Sequence, residues 1–193
     1  MCHELLRDAR LFRLLPKLDA DLAAEKQRTA RCRKCGNRLN NSPYPRKPRG
    51  VPPELREEYS SRHSLTCGRR RCRKRVTPGS VRFLGRRFYV AAAFVVLCAM
   101  QYGITDKRVA ELRVLVGSDT LSARTLYRWR EWWHETFVAT PFWRSARARF
   151  SPPVDRDALP GSLLERFRGD DRERLVAALE FLVPLSTRTA MSA

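Results

Sequence analysis

Cys32-Arg-Lys-Cys35-Gly36 and Cys67-Gly-Arg-Arg-Arg-Cys72 contain four of the six cysteines of this 193-residue chain. Two residues separate the cysteines of the first pair, and four residues separate those of the second. Thiolates at such spacing can point at one ion from a tight turn, and two turns complete a tetrahedral site. Gly36 suits the first turn, because positive φ lets backbone N–H groups point at sulfur. The sequence therefore predicts one structural Zn²⁺ on Cys32, Cys35, Cys67 and Cys72.

Two alternatives to this ligand set stay open. The four thiols could be unrelated buried groups, or His63, four residues before Cys67, could replace one cysteine as a ligand. Cys98 lies inside an apolar run and is expected in the core, whereas Cys2 gives no usable signal. Because no secretory signal is visible, thiols or metal are expected rather than disulfides. The expected location is the cytoplasm of a bacterium, in association with the nucleoid.

Basic residues are concentrated around the cysteine pairs. Residues 28–87 hold 19 Lys+Arg against 3 Asp+Glu, whereas the other 133 residues hold 20 against 17. A block with a net charge of +16 is typical of a polyanion-binding surface, and nucleic acid is the first candidate. A codon bias could favour Arg over Lys, but it would not cluster the charge. The residues expected to contact phosphate surround the second pair: Arg69, Arg70, Arg71, Arg73, Lys74 and Arg75.

The pattern predicts a mainly α fold with a small β zinc ribbon, in four segments. Residues 1–30 are N-terminal helices, which Pro16 is expected to divide into two pieces. Residues 31–80 are the zinc ribbon with its basic, Pro-rich loop. Residues 81–138 are a helical domain, and residues 139–193 are a Pro-rich linker followed by C-terminal helices.

The apolar run Tyr89–Met100 is predicted to be a buried helix. Its 12 residues fall short of the roughly 20 that span a bilayer, so no membrane contact is expected. The C-terminal helices carry apolar residues that could pack on the core or form a homodimer face. Core packing is the preferred interpretation of those residues: Leu163, Leu164, Phe167, Leu175, Val176, Leu179, Leu182 and Val183.

Residues 104–137 are predicted to form a helix-turn-helix. Thr105 or Asp106 can cap the first helix, and Gly117 lies at the turn, which is about three residues longer than usual. Ser122 is the expected N-cap of a second helix, from Ala123 to about Phe137. Two apolar stripes would face inwards: Val109, Ala110, Leu112 and Leu115 on the first helix, and Leu126, Trp129, Trp133 and Phe137 on the second.

The outward face of the second helix is the candidate for reading DNA. Arg124 and Arg128 are one turn apart near its N-terminal end, where a recognition helix contacts base edges. Tyr127 lies on the same face, and the hydroxyls of Ser122 and Thr125 could bind phosphate. An ordinary core helix with a solvated outer face is the alternative.

The order of these parts resembles a known family. The cysteine pairs, then Arg73-Lys-Arg-Val-Thr77, then Pro78-Gly-Ser-Val-Arg-Phe-Leu-Gly85, an apolar helix and Ser122-Ala-Arg-Thr-Leu-Tyr-Arg-Trp129 resemble the front end of insertion-sequence transposases and their accessory proteins. The resemblance covers roughly residues 31–137. It implies that the four cysteines are the metal ligands and that Ser122 to Trp129 begins a recognition helix.

The resemblance also implies what is missing. Such transposases continue into a ribonuclease-H-like catalytic domain, and the 56 residues after Phe137 are too few for one. The expectation is therefore DNA binding without strand transfer, by an accessory protein, a transcriptional regulator or a truncated relic, with a transposase as one expected partner. RNA or ribosome binding is the alternative. An enzyme is not expected, because a closed four-cysteine site leaves no metal position for water.

Overall fold

The fold is described from a computed structural model, which covers residue 5 and residues 8–47, 51, 53–84, 88–89, 103–116 and 121–187. Within those ranges the chain is mainly helical with small antiparallel sheets, in agreement with the predicted class. None of the helices in these ranges combines the length and the apolarity needed to cross a membrane.

The first helix, α1 (Ala9–Thr29), runs without interruption through Pro16, so the predicted break into two pieces is wrong. Proline has no backbone N–H, and Phe12, four residues earlier, therefore loses its helical donor. The hydroxyl of Tyr59 takes that place and donates to the Phe12 carbonyl at 2.7 Å in the interior. A side chain distant in sequence thus completes the helix at the position where proline weakens it.

The predicted ribbon contains two small antiparallel sheets. In the first, β4 (Leu65–Cys67) is the central strand between β1 (Leu39–Asn41) and β5 (Arg75–Val76). In the second, β2 (Tyr44–Pro45) pairs with β3 (Ser61–Arg62). Within the Pro-rich loop, Pro45 lies in β2 and a short 3₁₀ turn is present at Pro53–Leu55, whereas residues 48–50 and 52 lie outside the described residues.

A hairpin that the sequence did not suggest follows the ribbon. Strand β6 (Phe83–Leu84) pairs with β7 (Phe88–Tyr89), in a region predicted to be helical. Tyr89, the first residue of the predicted apolar helix, therefore lies in a strand. The rest of that predicted helix, including Cys98, lies outside the described residues.

The remaining elements are helical. They are α2 (Asp106–Val116), α3 (Ala123–Glu131), a π-helical turn (Trp132–Phe137), α4 (Pro141–Ala146), a 3₁₀ turn (Arg147–Arg149), α5 (Gly161–Leu164), α6 (Asp171–Phe181) and a 3₁₀ turn (Val183–Ser186). The predicted second helix of the helix-turn-helix thus ends as a π turn. The predicted linker at Thr140 is instead a helix start, because proline is well suited to the first position of a helix.

Side-chain caps fix where these helices begin. Ser122 caps α3 by accepting from the N–H of Thr125 at 3.3 Å, as predicted. Thr105 accepts weakly from Arg108 at the start of α2, at 3.4 Å. Asp170 forms a capping box at α6, in which its carboxylate and that of Glu173 each accept the other residue's N–H at 2.8 Å.

The apolar side chains form two separate clusters. The larger one joins α1 to the later helices, through residues such as Leu15, Leu112, Leu126 and Leu175. The C-terminal apolar residues pack into this cluster, as the preferred interpretation predicted. The smaller cluster contains Cys32, Leu39, Leu65 and Cys67. The predicted inner face of α2 is correct at Val109 and Leu112 but wrong at Ala110, which is exposed; the side chain of Leu115 is outside the described residues.

Candidate metal centre

The four paired cysteines meet in the smaller apolar cluster. Their Sγ atoms all lie within 4.8 Å of one another. The Sγ–Sγ distances are 3.4 Å from Cys35 to Cys67 and 3.7 Å from Cys32 to Cys72. Sulfurs about 2.3 Å from a tetrahedral metal ion would be about 3.8 Å apart. The arrangement therefore can hold one metal ion, with each arm contributing two thiolates.

The first arm is a tight turn closed by its own backbone. Cys35 and Gly36 both donate N–H groups to the carbonyl of Cys32, at 3.3 and 2.8 Å. Gly36 has φ +68°, the positive value predicted from the sequence. The N–H of Cys32 donates to the Asn37 carbonyl at 2.9 Å and closes the turn from its other end.

The second arm repeats this backbone pattern with a different sequence. Cys72 and Arg73 donate N–H groups to the carbonyl of Arg69, at 2.9 and 3.2 Å. Arg73, directly after the second cysteine, has φ +46° and so occupies the position that Gly36 has in the first arm. The N–H of Cys67 donates to the Lys74 carbonyl at 2.9 Å. The two extra residues between the cysteines place Cys67 before the turn, at the end of β4.

The pKa values of the two buried thiols, Cys32 and Cys67, are shifted in opposite directions. A backbone N–H of Lys34 donates to the sulfur of Cys32 and lowers the pKa of that thiol to about 7, against the opposing effect of burial. Burial raises the pKa of the Cys67 thiol to about 12, although the N–H of Arg69 donates to that sulfur at 3.4 Å. A bound cation would compensate the desolvation of the buried thiolates, as at other thiolate sites.

His63 is not part of the sulfur cluster. The group that could hold a metal ion, within the described part of the chain, consists of the four cysteines alone. His63 is half-buried, and burial together with the charge of Arg82 lowers its pKa. The alternative ligand set with His63 is therefore not supported. Cys2 and Cys98 lie outside the described residues.

The predicted phosphate-contacting residues surround the second arm and face solvent. Arg69, Arg70 and Arg71 form its turn, and none of the three is engaged in an ion pair within the described ranges. The guanidinium of Arg75 lies over the ring of Tyr44, 5.8 Å from its centroid. The whole predicted set is exposed: Arg69, Arg70, Arg71, Arg73, Lys74 and Arg75.

The second predicted interface, on α3, also faces solvent. Arg124 and Arg128 are exposed, and Tyr127 is 53% exposed. The hydroxyls of Ser122 and Thr125 are half-buried and lie 3.1 Å apart, so the cap already uses part of their hydrogen-bonding capacity. Gly117 and residues 118–120, which would form the turn, lie outside the described residues. The helix-turn-helix therefore stays a prediction.

A buried ion pair that the sequence-based predictions missed connects the ribbon to the helices. Asp19 and Arg82 are each about 2% exposed, and the guanidinium Nε lies 2.7 Å from a carboxylate oxygen of Asp19. Ser80 donates its hydroxyl to Asp19 at 2.7 Å, and the N–H of Val81 donates to it at 2.7 Å. One signal was available: Asp19 stands in the α1 stripe of Leu11, Leu15 and Ala23, at a spacing of four, where an apolar residue is expected.

The same network reaches the end of the described chain. The hydroxyl of Ser186 accepts the N–H of Ser80 at 2.8 Å, and its carbonyl accepts from Arg62 at 2.9 Å. Arg82 also donates to the carbonyls of Glu58 and Ser61, at 2.9 and 3.3 Å. The network fixes the base of the ribbon against α1 and the last 3₁₀ turn.

Comparison of the chain with protein-family models, with curated proteins and with solved structures found no match.

Proposed function

We propose that the protein is a zinc-dependent, sequence-selective double-stranded DNA-binding protein. Its role would be that of an accessory to, or a derivative of, a mobile-element transposase, or of a transcriptional regulator. The observation that carries the proposal is the second arm, where six exposed cations surround a cluster of four sulfurs. Zn²⁺ is the metal of this proposal because four thiolates in a closed tetrahedral set suit it.

The two basic surfaces would divide the work of binding. The arm at Arg69–Arg75 would neutralise phosphates, which supplies affinity without reading sequence. The exposed side chains of Arg124 and Arg128 would contact base edges from α3 and supply selectivity. With zinc bound, the ion and its four thiolates together carry a net charge of −2, and this negative charge would offset part of the repulsion among the arginines of the second arm.

Fluorescence anisotropy with a labelled duplex tests the proposal. With six to ten phosphate contacts, affinity should fall by roughly 10³ to 10⁵ between 50 and 200 mM salt. Chelation of the metal should remove most of the affinity, because the basic arm loses its fixed shape. Zinc content measured on the same sample identifies the metal. Less than half a zinc per chain, with the thiols still reduced, would contradict a zinc site.

Substitutions separate the two surfaces. Arg70→Ala should weaken all duplexes alike and reduce the salt slope by about one. Arg128→Ala should weaken the preferred site by about 1–3 kcal/mol more than random DNA. Arg13→Ala, which removes an exposed arginine from α1, is the control for charge alone. Equal losses on specific and random DNA for Arg70→Ala and Arg128→Ala would contradict the proposed division.

The preferred site can be found by sequencing genomic fragments that the zinc-loaded protein retains at physiological salt. Peaks that share a motif at element ends would favour the transposase-related role, whereas peaks at promoters would favour regulation. A flat profile that disappears with modest added salt would contradict sequence selectivity. Structured RNA that outcompetes duplex DNA at equal phosphate concentration would favour the RNA alternative.

A further inference from the structure

A cavity outside both basic surfaces is lined by three arginines. It has a volume of about 500 Å³ and lies beside the π-helical turn, α4 and the 3₁₀ turn that follows α4. Arg144 comes from α4, Arg147 from the 3₁₀ turn and Arg156 from the loop that leads towards α5. Arginines from three segments of the chain therefore line one cavity.

The residues that line this cavity carry an excess of positive charge. Glu135 is the single carboxylate among the lining residues, against the three arginines. No ion pair or side-chain hydrogen bond engages Arg144, Arg147 or Arg156 in the part of the chain that the structure describes. All three arginines are exposed. An anion bound between them would reduce the repulsion among their like charges.

The walls indicate which anion fits. The lining contains no Phe, Tyr or Trp ring, its one aromatic group is the imidazole of His134, and Val138 and Ala139 provide a small apolar surface. Guanidinium groups offer paired N–H donors that match phosphate oxygens. The volume lies within the range of small-molecule sites and exceeds what a monatomic anion needs. Phosphate is therefore the ligand chemistry that the cavity favours.

The backbone at the cavity is unusual as well. His134 and Glu135 line it from the π-helical turn Trp132–Phe137, a form that is rare and frequently found at functional sites. Tilted aromatic rings pack around Phe137, the last residue of that turn. Phe137 lies 5.7 Å from Trp132 and 4.8 Å from Trp143, between ring centroids. Because Trp143 is buried against Phe137, the backbone that carries the next residue, Arg144, is held in place.

We infer that the cavity bordered by Arg144, Arg147 and Arg156 binds a phosphate group, separately from the ribbon and from the outer face of α3. The phosphate can come from a nucleic-acid backbone or from a free phosphorylated compound. The first source rests on the proposed function, whereas the second does not.

The test uses the full zinc-loaded chain and inorganic pyrophosphate as the probe in isothermal titration calorimetry. Arg147→Gln should weaken pyrophosphate binding about tenfold, the usual scale of a hydrogen bond between charged groups. Arg149→Gln is the matched control, because Arg149 is exposed on the same 3₁₀ turn but does not line the cavity. It should change the affinity by less than twofold. Glu135→Gln should tighten binding a few-fold by removing the opposing charge.

A second arm measures duplex DNA affinity against salt for the same variants. A salt slope reduced by about one in Arg147→Gln, but not in Arg149→Gln, identifies the nucleic-acid backbone as the source. An unchanged slope with weakened pyrophosphate binding identifies a free phosphorylated compound. If Arg147→Gln and Arg149→Gln behave alike in both arms, the inference is overturned. If the protein binds no duplex, the proposed function fails and the pyrophosphate arm alone decides the inference.

Discussion

Arg73 lies at the end of the cysteine turn in the second arm and has a positive φ, a conformation that L-residues avoid. Its φ of +46° costs roughly 1–2 kcal/mol in a residue with a side chain. Glycine removes that cost but adds roughly 0.5–1 kcal/mol of entropy to the unfolded chain. We expect Arg73→Gly to raise the free energy of unfolding by up to about 1.5 kcal/mol. Arg71→Gly, which removes the same charge where φ is not positive, should lower it, and denaturant titration at fixed zinc compares the two.

The bond from Tyr59 to Phe12 is a second prediction at this scale. Tyr59→Phe leaves the buried Phe12 carbonyl without a donor and should cost about 1–3 kcal/mol. In a Pro16→Ala background the new alanine N–H can donate to that carbonyl, so the same change should cost less. Unfolding of all four proteins gives the coupling between the two positions. Strictly additive losses would show that the hydroxyl does not compensate for proline.

Single residues were predictable where the chemistry is local. Ser122 and Gly36 follow rules that span a few residues, and each has the role predicted for it from its neighbours in sequence. The position of Arg73 was not predictable, because nothing in the sequence marks an arginine for positive φ. The Tyr59 bond joins residues 47 apart, and short-range patterns carry no information about such contacts.

At the scale of elements, the cysteines lie in a small apolar cluster with Leu39 and Leu65, whereas other ribbon residues, such as Leu55 and Tyr59, belong to the larger cluster with the helices. We expect a chelator, or Cys67→Ser, to unfold the part of the ribbon around the cysteines, because metal binding supplies much of the folding free energy of such small sites. The larger helical cluster should keep its structure. Far-UV circular dichroism with and without chelator measures this, and loss of the whole helical signal would contradict it.

Three elements differ from what the spacing of apolar and proline residues predicted. Apolar spacing predicted a helix through residues 123–137, but its last part is a π-helical turn in which Phe137 contacts the rings of Trp132 and Trp133. Proline at position 16 suggested a break that a distant hydroxyl prevents. The hairpin β6–β7 has strands of two residues each, too short to give an alternating pattern.

At the scale of the molecule, the Asp19–Arg82 pair joins α1 to the base of the ribbon. Asp19→Ala leaves a guanidinium buried without its counter-charge and should cost about 3–5 kcal/mol. Asp21→Ala, at an exposed position of the same helix, is the matched control and should cost less than 1 kcal/mol. Thermal unfolding compares the two. Similar losses would show that the pair contributes nothing beyond the charge of α1.

Composition and cysteine spacing predicted the broad class of the molecule and the residues of its sulfur cluster. They did not predict how the parts are joined, because the joining groups are polar residues buried far apart in sequence. Asp19 and Arg82 are 63 residues apart, and Arg62 meets Ser186 across 124. Such pairs leave no local trace except an acidic residue in an apolar stripe.

The contact between Arg62 and the carbonyl of Ser186 has a consequence for biosynthesis. A ribosome adds about 5–20 residues per second, so Ser186 is made roughly 6–25 seconds after Arg62. Asp19, Ser80 and Arg82 are all present long before that. The nascent chain can therefore close the metal turns and join the ribbon to α1 while translation continues. Among the groups of this network Ser186 is made last, so the contacts of Arg62 and Ser80 with Ser186 form only after the 3₁₀ turn Val183–Ser186 has been synthesised.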